Sequence, residues 1–280
     1  MTDGAGVRTE IDTARDRVAA ERERTKRKLS ALDEFRDRVQ SLEPADPGQP
    51  GSPDGPGVSP ATPGGGLGGV GTDVDTRASG GGCRTVRRAF ADCLGDAAGD
   101  PGDSHDTVHE AIAAELSDEV AVALAAADGG GRLTPQLQRG VLAEASRRRS
   151  ELSVMESALR REDESLATVT EPVDTTVDWL REHDPTPLSE LSFDELARWH
   201  RTLSAFRDRL DETVAERQRF LDETTGENGT VGIRHADLVA YLYDGDGSDD
   251  THPVLVTVGR LDETCAEAQR ALREHLVCRV

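Results

Sequence analysis

The stretch VLAEASRRRSELSVMESALRREDESLATV, residues 141–169, decides the fold because its apolar side chains recur every three or four residues. This spacing puts them on one face of an α-helix and is typical of a seam between packed helices. Thr134 is a good N-cap, and Pro135 fits the first turn of the helix that it opens. Pro172 is expected to kink or divide this helix. The predicted seam comprises Val141, Ala145, Leu152, Met155, Leu159, Leu166, Val169, Val173 and Leu180.

Shorter helices are predicted between the amino-terminal region and this long one. CRTVRRAFADCLG, residues 83–95, has an apolar face, and Gly95 is the predicted end of the helix. One or two helices are expected between about 105 and 127, and Ser117 is a candidate N-cap for the second. These segments lack the length of the 141–169 seam but share its helical period.

The carboxyl-terminal half has the same helical signals. Ser192 and Glu195 form a capping box at the start of another long helix. A short helix is predicted over about 233–243, and the last helix starts at Pro253 despite its valines. No segment alternates with a period of two, so the predicted fold class is all-α: an N-terminal coiled-coil-type helix, a disordered linker, and an antiparallel helical bundle with long helices.

Glycine and proline are concentrated in one segment and divide the chain. Residues 43–82 contain 13 of the 28 Gly and 7 of the 13 Pro. Such a segment has few side chains to offset the entropy of ordering, and as a flexible chain its ends would average about 35 Å apart. The predicted domains are therefore a charged coiled-coil helix (1–42), a disordered Gly/Pro linker (43–82) and a helical bundle (83–280).

The charge composition indicates an environment of high salt. The net charge is −21, and the 33 basic residues are 31 Arg and only two Lys. Molar salt shortens the Debye length to about 3 Å and makes such self-repulsion tolerable. An acidic chain is a poor ligand for nucleic acid or an anionic membrane. With neither a signal peptide nor a long apolar run, the chain is expected to be soluble and cytoplasmic.

Three segments resemble those of uncharacterised haloarchaeal acidic helical and coiled-coil proteins, a family of unknown function. They are the amino-terminal ARDRVAAERERTKRKLSALDEFRDRV, the RTVRRAF helix, and the RRRSEL and RREDESL segments of the long helix. The resemblance covers most of the chain and consists of packing patterns. It implies an all-α fold and a haloarchaeal origin, with no assigned activity.

Residues 7–42 give the strongest indication of an interaction. Their heptad seam is flanked by seven arginines, so two copies of the helix would repel each other. An acidic partner helix fits better, and residues 145–169 carry acids beside their seam, with Glu162 at a core position to match Lys28. We expect helix 7–42 to dock on this helix, in the same chain or in another copy, or on an external acidic helix. The predicted interaction residues are Ile11, Arg15, Val18, Arg22, Lys28, Leu32, Phe35, Val39, Glu151, Glu156 and Asp163.

No catalytic residues, cofactor or metal ligands are predicted, and the first hypothesis is a non-enzymatic protein-interaction or scaffolding module. One alternative is a DNA-associated regulatory protein, for which the basic runs RERTKRK (22–28) and RRR (147–149) are candidates. The second alternative is metal binding, because two histidines stand one helical turn apart and two cysteines precede them. The nine residues between these cysteines break the spacing of a zinc finger. The candidate ligands are Cys83, Cys93, His105 and His109.

Overall fold

A computed structural model describes residues 4–45, 81–98, 105–126, 131–225, 232–244 and 252–278. Within these residues the fold is all-α, as predicted, with eight helices and one pair of two-residue strands. In chain order the elements are α1 (Gly4–Ser41), α2 (Gly82–Ala98), α3 (His105–Glu115), α4 (Asp118–Ala125), α5 (Pro135–His183), α6 (Phe193–Asp222), β1 (Thr224–Thr225), β2 (Ile233–Arg234), α7 (His235–Tyr243) and α8 (Pro253–Val277).

The predicted helix starts are confirmed at their caps. The Ser117 side chain accepts a hydrogen bond from the backbone N–H of Val120 at the start of α4. At the start of α6, Ser192 and Glu195 form both hydrogen bonds of a capping box. Pro253 is the first residue of α8, so the valine-rich segment after it is helical.

The predicted helix end at Gly95 is wrong, and of the two outcomes expected at Pro172, a kink or a division, the division does not occur. The second helix passes through Gly95 and ends at Ala98. Pro172 does not divide α5, which is a single helix of 49 residues. Glycine is tolerated within a helix at a cost of about 1 kcal/mol. Proline removes one hydrogen bond, and burial of the seam on both sides of Pro172, at Val169 and Val173, favours continuation of the helix.

A small strand pair was not predicted. Thr224 pairs with Arg234 and Thr225 with Ile233, in antiparallel register. Two residues are too short to give a period-two pattern. The strands approach closely because Gly232 has no side chain: a Cβ at this position would lie 2.4 Å from the carbonyl oxygen of Thr225. This pair positions His235, the first residue of α7.

The chain forms two compact units. The split unit comprises Met1–Lys26 and Leu152–Val280, and the central unit comprises Arg27–Glu151. The boundaries lie within α1 and α5 and do not coincide with the boundaries at 42 and 82 expected from composition. Most of the predicted linker, residues 46–80, lies outside the described residues.

The split unit has an apolar core built from α1, α5, α6, α7 and α8. Within it α6 runs antiparallel to α8, because Ser204 contacts Gln269 whereas the later Arg207 contacts the earlier Asp262. The seam residues Leu166, Val169, Val173 and Val177 of α5 pack with residues of α1, α6, α7 and α8 in one cluster, which includes Ile11, Ala14, Val18, Leu210, Val239, Val254 and Leu261.

The central unit joins the last part of α1 to α2, α3, α4 and the first part of α5. Phe35 of α1 contacts Phe90 of α2 edge to face, with ring centroids 5.6 Å apart. Gln138 of α5 donates hydrogen bonds to the carbonyl oxygens of Val39 and Leu42, and so satisfies the carboxyl-terminal end of α1.

The two ends of the Gly/Pro-rich region are held at the same place in the central unit. The N–H of Ala45 donates to the carbonyl of Leu133 over 2.8 Å, and the N–H of Cys83 donates to that of Gly131 over 3.5 Å. Gly82 packs so tightly that a Cβ would lie 2.7 Å from the Cβ of Leu133. The separation of about 35 Å expected for a free chain is therefore wrong, because backbone hydrogen bonds fix both ends.

Candidate functional site

The apolar interaction residues predicted on α1 are buried. In the split unit, Ile11 and Val18 belong to the core cluster described above. In the central unit, Leu32, Phe35 and Val39 are each 0% exposed. The heptad pattern thus identified the inward face of α1 correctly, and this chain's own helices cover that face.

The predicted charge contacts in the split unit centre on Arg22. One of its guanidinium nitrogens lies 2.7 Å from a carboxylate oxygen of Asp163, and the other lies 3.7 Å from Glu156. The structure therefore brings these three predicted residues together, within one chain. Arg15 is exposed.

Two predicted charge contacts are replaced by others. Lys28 does not meet Glu162; its ammonium lies 2.5 Å from Glu115 in the central unit. Glu151 binds Arg147 and Arg148 of its own helix. Heptad positions identify a helix face but do not determine which of several neighbouring helices covers it.

Glu115 is a buried carboxylate held between two cations. Besides Lys28, it accepts two hydrogen bonds of 3.1 Å from the guanidinium of Arg148. Burial by itself would raise the pKa of Glu115, but the hydrogen bonds and charges of Lys28 and Arg148 outweigh it and hold the pKa below its ordinary value.

Glu162 has a different partner, which the sequence analysis missed. Its carboxylate accepts two hydrogen bonds of 2.8 Å from Arg217 of α6, and both side chains are buried. The hydroxyl of Tyr243 in α7 donates a third hydrogen bond to it over 3.1 Å. Burial and the Glu162 charge raise the pKa of Tyr243, so its hydroxyl stays protonated as a donor.

One cavity of the split unit, here called the tryptophan cavity, has a volume of about 660 Å³. It lies among the end of α5, the segment 184–188, the start of α6, and α8. Both tryptophans of the chain line it. This volume falls within the range of about 300 to 1,000 Å³ that is typical of ligand sites. The lining includes Trp179, His183, Trp199, Leu203, Ala268 and Leu272.

Three aromatic rings pack together in this cavity: two are nearly parallel, and the third is nearly perpendicular to both. The rings of Trp179 and His183 stack with centroids 4.2 Å apart and an interplanar angle of 16°. Trp199 stands at 80° to Trp179 and at 81° to His183. Nδ1 of His183 lies 2.8 Å from the backbone carbonyl oxygen of Trp179, which fixes the orientation of the imidazole.

Carboxylates lie beside the aromatic rings. Asp184 and Glu267 line the cavity together with one basic residue, Arg181. Asp184 and Glu267 are exposed, and within the described residues neither forms an ion pair. The segment 182–195, which borders the cavity, contains five Asp or Glu and no Lys or Arg. The charged residues in the cavity lining are thus two acids and one base, a net charge of −1.

No serine or cysteine belongs to the cavity lining. The nearest thiol in the surrounding core is that of Cys265, which is fully buried in the cluster of Leu203 and Leu272. Burial raises the pKa of Cys265 to about 12, so the thiol is protonated and unreactive at neutral pH. The lining can bind a ligand by apolar, aromatic and charge contacts.

The proposed metal ligands do not converge. Cys83 and Cys93 lie on the same helix, and ten residues of α-helix rise about 15 Å, too far for both thiolates to bind one ion. Burial also raises the pKa of each thiol. Both histidines lie on α3, where the side chain of His105 is outside the described residues and His109 is half-buried. In the described part of the chain, no three His, Cys, Asp or Glu side chains are placed to hold a metal ion.

The sequence contained one signal for the tryptophan cavity that was not used. The chain has only two tryptophans, and Trp199 follows the capping box of Ser192 and Glu195 by four residues, within the predicted helix. Trp179 and His183 are one helical turn apart, a spacing that allows their side chains to stack. Convergence with Trp199 depends on the turn between α5 and α6, which periodicity does not describe.

The comparisons with known proteins identify a family. Residues 9–269 match DUF7260, a domain of unknown function. The chain belongs to this family. No curated protein and no solved structure matches the chain. Among the helices described, none is both long enough and apolar enough to cross a membrane.

Proposed function

We propose that this DUF7260 chain is a non-enzymatic protein-interaction module of a high-salt cytoplasm, and that it binds a segment of a partner protein in the tryptophan cavity. The observation that supports this most directly is the position of both tryptophans at one cavity of about 660 Å³. Tryptophan is among the residues most enriched at the energetic centres of protein interfaces.

The location of α1 favours the cavity over the amino-terminal helix as the docking site. The seam of α1 is buried against this chain's own helices, from Ile11 and Val18 to Phe35 and Val39. An external helix could reach that seam only by displacing them. The rings of Trp179 and Trp199, in contrast, are partly exposed.

The charge contacts weigh against the DNA-associated alternative. In the central unit, Arg147 and Arg148 bind Glu144, Glu115 and Glu151, and Arg149 binds Asp33. The basic run 22–28 likewise contains Arg22, Arg24, Lys26 and Lys28, all paired with acids of this chain. Phosphate binding would require these pairs to break, and molar salt weakens phosphate binding further.

The proposal is tested by filling the cavity. In Ala271→Phe a larger side chain enters the lining between α8 and the tryptophans. Ala205→Phe is the matched control, because Ala205 is an exposed position of α6 outside the lining. Each protein is used for affinity capture from lysate at about 2 to 3 M KCl with nuclease, and the captured proteins are identified and then purified for direct binding assays.

The proposed function predicts a purified partner that binds the wild type and Ala205→Phe and binds Ala271→Phe at least 10-fold more weakly. Equal binding to all three proteins would refute the cavity as the docking site. A parallel capture without nuclease tests the alternative: nucleic acid that is retained on the protein, and that nuclease then releases, would support the DNA-associated role instead.

A further inference from the structure

We infer that the tryptophan cavity, taken as the docking site proposed above, receives the cationic side chain of an arginine or lysine from the partner protein. The cation would lie against the partly exposed surface of the aromatic cluster that Trp179 and Trp199 form with His183, and its charge would face Asp184 and Glu267. This juxtaposition of two indoles with two carboxylates that have no ion pair in the described residues carries the inference.

The aromatic part of the site suits a cation with an alkyl chain. Indole faces attract ammonium and guanidinium groups through their quadrupole, and tryptophan is the strongest of the aromatic side chains in this respect. His183 packs against both indoles, so the surfaces of Trp179 and Trp199 that line the cavity are the ones left for the cation. Leu203, Ala268 and Leu272 in the same lining offer apolar contacts to the methylene chain of Arg or Lys.

The charged part of the site selects the same chemistry. Of the three charged residues in the lining, Asp184 and Glu267 are acidic and Arg181 is basic, so the lining has a net charge of −1. The segment 182–195 has four further carboxylates besides Asp184, and one of them, Glu195, interacts with Arg198 and caps α6 through Ser192. An anionic ligand would be repelled, and a neutral one would leave both carboxylates of the lining without a partner.

The intrinsic fluorescence of the protein provides a direct assay. Because both tryptophans of the chain line the cavity, their emission reports on this site. The probes are butylguanidinium and butylammonium, with butylurea and butanol as neutral analogues of similar size. All are titrated into the full chain in about 2 to 3 M KCl, and binding is followed as the change in emission.

We expect the better of the two cations to bind at least 5-fold more tightly than its neutral analogue. Glu267→Gln and Asp184→Asn should each reduce this preference by at least 2-fold. Glu212→Gln, at an exposed carboxylate of α6 outside the lining, is the matched control and should leave it unchanged. Equal binding of cation and neutral analogue, or equal effects of all three variants, would overturn the inference.

A competition experiment separates this inference from the proposed function. If a cationic side chain of the partner binds in the tryptophan cavity, saturating butylguanidinium or butylammonium should release the purified partner from the wild type. If the partner does not bind Ala271→Phe but stays bound to the wild type at saturating cation, the inference of a cationic side chain is refuted, and the proposed docking site is retained. A partner that binds Ala271→Phe normally would refute the docking site itself.

Discussion

The Arg217 guanidinium donates two parallel hydrogen bonds of 2.8 Å to the Glu162 carboxylate, and the exposed fractions of the two side chains are only 2% and 0%. Arg217 also donates to the Ser165 hydroxyl and lies over the ring of Phe220. The pair joins α5 to α6, and Tyr243 attaches α7 to the same carboxylate. Three helices of the split unit thus meet at one buried charge.

Removal of one member of this pair should be strongly destabilising. Arg217→Met keeps much of the side-chain volume but leaves the Glu162 carboxylate buried without its counter-ion. We expect a loss of about 3 to 5 kcal/mol in the free energy of unfolding, the usual cost of an uncompensated buried charge. Urea denaturation at high salt and neutral pH measures it.

An exposed pair between the same two helices provides the control. Arg209 lies 2.8 Å from Glu171, and both side chains are more than half exposed. Arg209→Met should change the free energy of unfolding by no more than about 1 kcal/mol. Equal effects of the two substitutions would show that burial does not determine the strength of the Arg217–Glu162 pair.

His235 should make the stability of the protein depend on pH. It stacks on Phe220, its Nε2 lies 3.0 Å from the Thr225 hydroxyl, and its buried Nδ1 has no partner among the described residues. Burial, with the charge of Arg161 as a second cause, lowers the pKa of His235 below its ordinary value of 6.5. At a pH between the folded and the unfolded pKa, this imidazole is therefore neutral in the folded protein and protonated in the unfolded chain.

The sign of the effect follows from this lowered pKa. The stabilising contribution of neutral His235 is complete above about pH 6.5 and decreases as the pH falls toward the folded pKa. Between pH 8 and 5.5 the free energy of unfolding should therefore fall more in the wild type than in His235→Gln, which keeps the other histidines. Parallel pH profiles would show that His235 is not the group responsible.

Glu115 should act in a more acidic range. Its folded pKa lies below the ordinary 4.5, so its contribution to stability is present above pH 4.5 and is lost as the pH falls through the folded value. Lys28→Met removes one of its two cations, and we expect a loss of about 1 to 3 kcal/mol at pH 7 that shrinks below pH 4.5. Lys26→Met is the control, because the ion pair of Lys26 among the described residues is with exposed Glu23. A loss independent of pH would indicate that Lys28 stabilises the central unit by other contacts.

High salt should stabilise the whole chain. The net charge of −21 produces self-repulsion, which molar salt screens to a Debye length of about 3 Å. The melting temperature should therefore rise from dilute buffer to about 2 to 3 M KCl. An unchanged melting temperature would contradict adaptation to a high-salt environment and leave the arginine-rich composition as a matter of codon usage.

The sequence predicted the helices, their inward faces and the contact of Arg22 with Glu156 and Asp163, but not the partners of Lys28, Glu151 and Glu162. Caps at Ser117 and Ser192 and the seam from Ile11 to Val39 depend on neighbouring residues, so local pattern is sufficient to find them. The pairing of Glu162 with Arg217 depends on which helix lies beside α5, and a heptad register does not contain that information. The tryptophan cavity was not predicted for the same reason, since its lining comes from segments that are distant in sequence.

The split unit combines segments that the ribosome makes at different times. Ile11 and Val18 are synthesised before residues 27–151, yet they pack against residues made after position 152. At about 5 to 20 residues per second, the amino-terminal segment waits on the order of 10 seconds for the start of its partner, while the central unit is completed. A nascent chain of this protein therefore exposes the apolar face that contains Ile11 and Val18 until the helices after position 152 have been made.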